Sequence, residues 1–211
     1  MREVMEQLRP GDHAVLFYRN RAEQFAAAIP YIQIGLERNE RCLYIAGDNS
    51  IPVVIAAMEK AGIDVLSAER TGCLIVATPE QTYLKHGLFE PAKMVEGLGE
   101  EIQRALGDGF GAFRGTGELG WAAALPSALM RLYEYEQLFD AALAPSFVAL
   151  CQYNETLFPA STIGQMVRIH PKIIARGKLR ENPHYIGPKP SVDDYPMLCV
   201  DEAMSPAACA A

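Results

Sequence analysis

Short apolar runs alternate with longer amphipathic stretches along this chain, a spacing that predicts strands joined by helices. His13-Ala-Val-Leu-Phe-Tyr18 is apolar, aromatic and β-branched, as a buried strand is. Arg41–Ala46, Leu74–Ala77 and Phe147–Cys151 read the same way, and Ala112-Phe-Arg114 begins a further strand. Between them Phe25, Ala28, Ile32 and Leu36 recur at helical spacing, with Asn20 and Glu23 as the cap. Pro30 predicts a kink or a late start in that helix. Ser50 opens the next, which carries Val54, Ala57, Met58 and Ala61 on one face and stops at Gly62. Residues 80–90 read as a loop or short turns. Met94, Leu98, Ile102 and Leu106 stack on a helix from Pro91, and Leu125, Leu129, Leu132, Phe139 and Leu143 face inward on one from about Ala123 to Ala144. A last helix is expected over 161–176, with Pro171 starting a new segment inside it, and Asn182-Pro-His-Tyr185 reads as a turn that leads into a last strand or an extended edge segment.

Strands alternating with helices of this length imply right-handed crossovers and a parallel sheet. The expected class is α/β: a mostly parallel sheet of five or more strands with helices on both faces. Residues 1–187 form the domain, and 188–211, rich in Pro and Ala, form a linker or tail that folding does not need.

Composition narrows the function. Half of the 211 residues are apolar, enough to bury a full core. A formal net charge of -7 without a basic patch argues against nucleic-acid and anionic-membrane partners. No run reaches the roughly 20 apolar residues of a membrane helix, and the charged N-terminus has no signal region, so a cytoplasmic location is expected. Five cysteines at irregular spacing give neither an even disulfide set nor a CxxC pair, and the three in or beside apolar runs read as reduced core thiols.

The turn after the first strand, Tyr18-Arg-Asn-Arg-Ala-Glu23, has no glycine, no terminal Lys and no magnesium-binding hydroxyl after it. It cannot cradle phosphates as a P-loop does, so nucleotide hydrolysis and a resident cofactor are not expected. Gly115-Thr-Gly-Glu-Leu-Gly120 matches GxGxxG, but it follows the wrong strand and Glu118 would repel a pyrophosphate. A tight loop is the simpler reading, and dinucleotide binding is the alternative.

Arg114, Glu118 and Trp121 gather at the expected carboxyl edge of the sheet, where ligands bind in open α/β folds. Cys151-Gln-Tyr153-Asn154 ends its strand at the same edge and offers a thiol and a phenol. A surface ion pair beside a tryptophan, and a core thiol, are the plainer alternatives. Cys151 as a nucleophile would need His13 or His170 as base. His13 begins its strand and is expected at the opposite end of the sheet. His170, followed by Pro171, reads as a structural histidine, and no local spacing supports a metal site.

In order, Gly11-Asp-His13 with Leu16-Phe-Tyr18, Gly35 through Ile45, Arg114 with Gly117-Glu118 and Trp121, Tyr133-Glu134, Cys151-Gln-Tyr153 with Phe158, His170-Pro171 and Asn182-Pro-His-Tyr185 resemble the MEDS domain, the DcmR-type sensory domain of methanogens and methylotrophs. The resemblance runs from about residue 10 to 187. It implies a RecA/KaiC-like fold with a decayed nucleotide site, and a sensory role beside a regulatory output module. It implies a small ligand, such as a hydrocarbon derivative, with the family's His and Cys positions at His13, Cys151 and His170. The expected ligand-binding set is His13, Tyr18, Arg114, Glu118, Trp121, Cys151, Tyr153 and His170. The expected partners are a small organic molecule and an output domain or partner protein, with room for a homodimer. A nucleotide- or dinucleotide-binding enzyme and an interaction module with a closed cleft are the competing functions.

Overall fold

The computed structural model describes residues 1–142 and 145–187. The chain runs through α1 (Arg2–Met5), β1 (His13–Tyr18), α2 (Arg21–Glu37), β2 (Glu40–Ile45), α3 (Ile51–Lys60), α4 (Val65–Arg70) and β3 (Leu74–Ala77). A 3-10 turn at Pro79–Gln81 leads to α5 (Pro91–Gly107), β4 (Ala112–Glu118), α6 (Gly120–Ala123) and α7 (Pro126–Ala142). Then come β5 (Phe147–Asn154), α8 (Ala160–Ile169), β6 (Lys172–Ala175) and β7 (Lys178–Glu181). The strands form one seven-stranded sheet in the order β3-β2-β4-β5-β1-β6-β7, parallel except where β7 pairs with β6. The expected tail at 188–211, with Leu143 and Ala144, lies outside the described residues.

The fixed hand of the crossovers explains which helix lies where. From β1 the chain steps to β2 and on to the β3 edge, with α2, α3 and α4 on one face. It then returns through β4 and β5 to β6, so α5, α7 and α8 cover the other face. Each strand alternates its side chains between the two layers. Ala14, Leu16, Tyr18, Cys42, Tyr44, Val148 and Leu150 pack under α2 and α3. Val15, Phe17, Phe113, Ala149, Cys151 and Tyr153 pack under α5, α7 and α8. Burial on both faces leaves no polar side to β1, which is why it reads as a continuous apolar run.

Several local expectations change. Pro30 does not interrupt α2. Its neighbours Ile29, Tyr31 and Ile32 are buried against the sheet, and that burial outweighs one missing hydrogen bond. The helix sits close to the sheet: a Cβ on Gly35 would lie 2.5 Å from Cys42 Sγ and 2.6 Å from the Arg114 Cδ. The helix expected over 161–176 ends at Ile169. Lys172–Ala175 instead extends the sheet beside β1, because Pro171 stops the helix and Ile173-Ile174 favours a strand. Arg176 and Gly177, at φ 49° and 76°, then close the two-residue hairpin to β7.

Gly115 and Gly117 are not in a loop. They belong to β4, which continues to Glu118. A Cβ on Gly115 would meet the Phe147 ring at 2.9 Å, and one on Gly117 would meet the Tyr83 hydroxyl at 2.4 Å. The glycines make room for aromatic rings, and no turn is left there for a dinucleotide fingerprint.

Candidate functional site

The expected ligand set divides between the two faces of the sheet. β4 and β5 pair with Gly117 opposite Cys151 and Glu118 opposite Gln152. Glu118 and Cys151 therefore point to opposite layers, although both lie near the carboxyl edge.

On the α2 face, Glu118 is fully buried and already occupied. Its Oε2 accepts from the backbone N–H groups of Gly47, Asp48 and Asn49 at 2.9, 2.5 and 2.8 Å. Its Oε1 accepts from the Tyr44 hydroxyl at 2.7 Å and the Asn49 side-chain amide at 2.9 Å. The β2–α3 turn thus offers a nest of amides, filled by the protein's own carboxylate. Tyr18 donates to Asp48 on the same face. Asn49, Gln24, Gln152 and Thr116 continue the network at 2.8–2.9 Å. Arg114 lies on this face too, fully buried and paired with Glu40, its guanidinium 4.5 Å above the Tyr31 ring. At the head of α2, the Asn20 side chain accepts from the Glu23 N–H at 3.0 Å, so the helix caps itself where a phosphate would sit in a P-loop.

The α7 face brings His13, Cys151 and His170 together, and adds Glu136. One donor atom from each of the four lies within 4.8 Å of the others. His13 does not sit at the far end from Cys151. β5 runs on to Asn154, so Cys151 is mid-strand opposite Val15, and His13 is two residues away on the neighbouring strand and the same face. His170 follows α8, which lies against α7.

The contacts have a clear centre. Glu136 Oε2 lies 3.4 Å from His13 Nε2, 3.4 Å from the Cys151 Sγ and 3.5 Å from His170 Nε2. The His13 Nε2 and Cys151 Sγ are 3.5 Å apart. Outer partners orient each group. The Tyr153 hydroxyl donates to Glu136 Oε1 at 2.6 Å. His13 Nδ1 is 2.9 Å from Asp140 Oδ1, and the Tyr185 hydroxyl donates to Asp140 Oδ2 at 2.6 Å. His170 Nδ1 lies 2.8 Å from the Met166 carbonyl. A carbonyl only accepts, so Nδ1 carries the proton and Nε2 is left facing Glu136 with no hydrogen-bond partner.

Burial disfavours charge on His13, but Asp140 and Glu136 outweigh it and raise its pKa. For His170, burial followed by the charge on His13 lowers it. Burial also pushes the Cys151 thiol well up, with Glu136 adding to the effect. Glu136 is held well below the carboxylate range, since His170 and His13 outweigh its burial.

Cys151 also faces a small, mostly apolar cavity. A cavity of about 20 Å³ is lined by Cys151, Ala149, Tyr135, Phe139, Tyr83 and Met94, room for about one water. It shares Leu43, Tyr83, Met94 and Leu98 with an open groove of about 610 Å³ between α5 and β3. Trp121 stacks on Tyr83, one of the shared wall residues, at 5.1 Å.

Glu136 and Asp140 lie outside the expected ligand set, although the sequence carries a signal for Glu136. The inward stripe of α7 runs from Leu132 through Glu136 to Phe139, placing an acid where the periodicity calls for an apolar residue. Asp140 carried no such mark.

The sequence profile of the family described as "MEDS: MEthanogen/methylotroph, DcmR Sensory domain" matches residues 12–171. All four clustered residues fall within that span. Among solved structures, a KaiC-like protein from the hyperthermophilic archaeon Pyrococcus horikoshii OT3 is similar at 12% identity and a TM-score of 0.56, over 78% of this chain and 70% of that one. At that identity the likeness is one of fold alone. Among curated proteins none matches this chain. No helix among the described residues is long and apolar enough to cross a membrane.

Proposed function

The chain belongs to the MEDS family of sensory domains, and from that premise we propose that it senses a small, largely apolar organic molecule on its α7 face. The observation that carries the reading is the small cavity at a thiol of the buried polar cluster, whose walls Leu43, Tyr83, Met94 and Leu98 also line the open α5–β3 groove. Such a site combines an apolar wall with a few placed polar groups, as small-molecule sites do. Its inner volume admits little as it stands, so a ligand must displace Tyr83 or Met94. Tyr83 packs against Phe89, Trp121 and Tyr135, and its displacement would carry the binding event to the surface segment before α5. An output domain or partner protein that contacts this segment would read the change. Binding then shifts a population, because the ligand favours the displaced state.

In this reading the protein hydrolyses no nucleotide, as the capped α2 terminus and the turn without glycine support. A thermal-shift panel tests both parts: 1-propanol, 1-bromopropane and propylamine on one side, ATP and GTP with magnesium on the other. A compound at a hundred times its Kd adds about 2.7 kcal/mol, which is about 5–10 °C for a chain of this size. At least one organic compound is expected to give such a rise, and both nucleotides none. Met94→Trp should block the mouth and abolish the rise, with its own melting point within a few degrees because Met94 is only half-buried. A response to nucleotides alone would favour an enzyme, and silence throughout an interaction module.

A further inference from the structure

We infer that His13, Glu136, Cys151 and His170 bind one zinc ion, through His13 Nε2, Glu136 Oε2, Cys151 Sγ and His170 Nε2. This rests on the geometry of the cluster and is independent of the organic ligand proposed above.

The first argument is the spacing. Zinc takes nitrogen at about 2.0–2.1 Å, carboxylate oxygen at about 2.0–2.2 Å and thiolate sulfur at about 2.3 Å, so atoms of a tetrahedral shell lie about 3.3–3.6 Å apart. The three contacts of Glu136 Oε2 and the His13–Cys151 contact measure 3.4, 3.4, 3.5 and 3.5 Å. The two imidazole–carboxylate contacts are long for hydrogen bonds, the two sulfur contacts are ordinary ones, and all four match the edges of a tetrahedral coordination shell.

The second argument is the direction of the lone pairs. His13 turns Nδ1 to Asp140, and His170 turns Nδ1 to the Met166 carbonyl, so both present Nε2 to the centre. The imidazole of His170 is fully buried, and its Nε2 has no hydrogen-bond partner. With Nε2 at 3.5 Å from Glu136 Oε2, too far for a well-formed N–H···O bond, neither atom is well satisfied by the other, and a cation between them would satisfy both.

The third is the outer shell. A histidine ligand usually donates its other N–H to a carboxylate or carbonyl, and a ligating carboxylate is itself hydrogen-bonded. Asp140 serves His13, the Met166 carbonyl serves His170, and the Tyr153 hydroxyl holds Glu136 Oε1. The charges also close: the dication meets one carboxylate and one thiolate, and the thiol proton leaves to solvent as the metal enters. Two imidazoles with a thiolate suit zinc and cobalt, and exclude magnesium and calcium, which take oxygen.

The test uses the full chain and two metals, zinc and cobalt(II). Metal analysis after zinc loading and desalting should give one ion per chain, and chelation should lower the melting point. Cobalt should produce the intense d–d bands of a tetrahedral site and a thiolate-to-cobalt charge-transfer band. Both should persist in a Cys73→Ser/Cys199→Ser/Cys209→Ser variant, which keeps only Cys42 and Cys151. Cys42 lies on the opposite face, its thiol against the Ile32 and Glu40 carbonyls. Cys151→Ser should then abolish the charge-transfer band and weaken cobalt binding at least 100-fold. Tyr153→Phe, which removes only an outer partner, should weaken it about 10-fold. Should Cys151→Ser not fold, Cys42→Ala in the triple-serine background must retain the band. Failure to take up stoichiometric zinc, octahedral cobalt spectra, or loss of the band in the triple-serine variant would overturn the proposal. The organic panel scores separately, so a metal-free protein that still responds to 1-bromopropane would sink this inference alone.

Discussion

Glu118→Ala is expected to destabilise the protein by about 3–5 kcal/mol, a large part of the total stability of a domain this size. The buried carboxylate accepts from three consecutive backbone amides and an asparagine, all half-buried, and from a buried tyrosine. Removing it leaves the three amides and the Tyr44 hydroxyl without this acceptor, while the Asn49 side chain keeps Gln24, and each unsatisfied group costs about 1–3 kcal/mol before relaxation. Glu118→Gln keeps the shape but replaces one oxygen by an N–H donor that cannot face the amides. It should cost about half as much or more. Urea denaturation of the two variants checks this. A loss under about 1 kcal/mol together with a lost ligand response would instead make Glu118 a ligand contact.

Arg114→Met is expected to cost a similar amount, about 3–5 kcal/mol, for a different reason. Arg114 is fully buried and its partner Glu40 is nearly so. Truncation leaves the Glu40 carboxylate in the interior with its countercharge removed, which is the expensive way to break such a pair. Replacing both, as Arg114→Met with Glu40→Leu, should recover at least half of the loss, because paired apolar side chains need no compensation. The double-mutant cycle measures this coupling directly. Additive losses would show that Arg114 acts alone.

Both predictions concern residues whose types the sequence reading associated with a ligand, and the structure shows what that reading lacked. Charged residues at the end of a parallel strand belong to a site only if they share a face, and β4 and β5 are buried on both. Sequence alternation in such strands carries no polar side from which to read the register. β1, β2, β3 and β5 were legible from their apolar runs, while only the start of β4 was, because Arg114-Gly-Thr-Gly-Glu118 has no apolar run. β6 was not: Lys172-Ile-Ile-Ala is four residues long and follows a genuine helix, and only the open edge of β1 makes it a strand. His13, Cys151 and His170 were named from the resemblance, and β1, β5 and the end of α8 bring them together. The error over His13 came from cutting β5 short at Cys151; three more residues put the thiol in mid-strand. Glu136, at the centre of the cluster, is an acid within the inward stripe of α7 between Leu132 and Phe139, and apolar periodicity alone passes over it.

The site on the α7 face is the central claim, and the chain's single tryptophan tests it most directly. Trp121 stacks on Tyr83, which lines both the groove and the inner cavity, so a ligand that enters must disturb the ring against the indole. Titration with 1-bromopropane, whose heavy atom quenches tryptophan on contact, should give saturable quenching of Trp121 emission. In Met94→Phe, which narrows the mouth without adding a second tryptophan, the midpoint should rise at least tenfold. Quenching that grows linearly with concentration and is the same in both proteins would mean collision from solvent, and would contradict entry at this site.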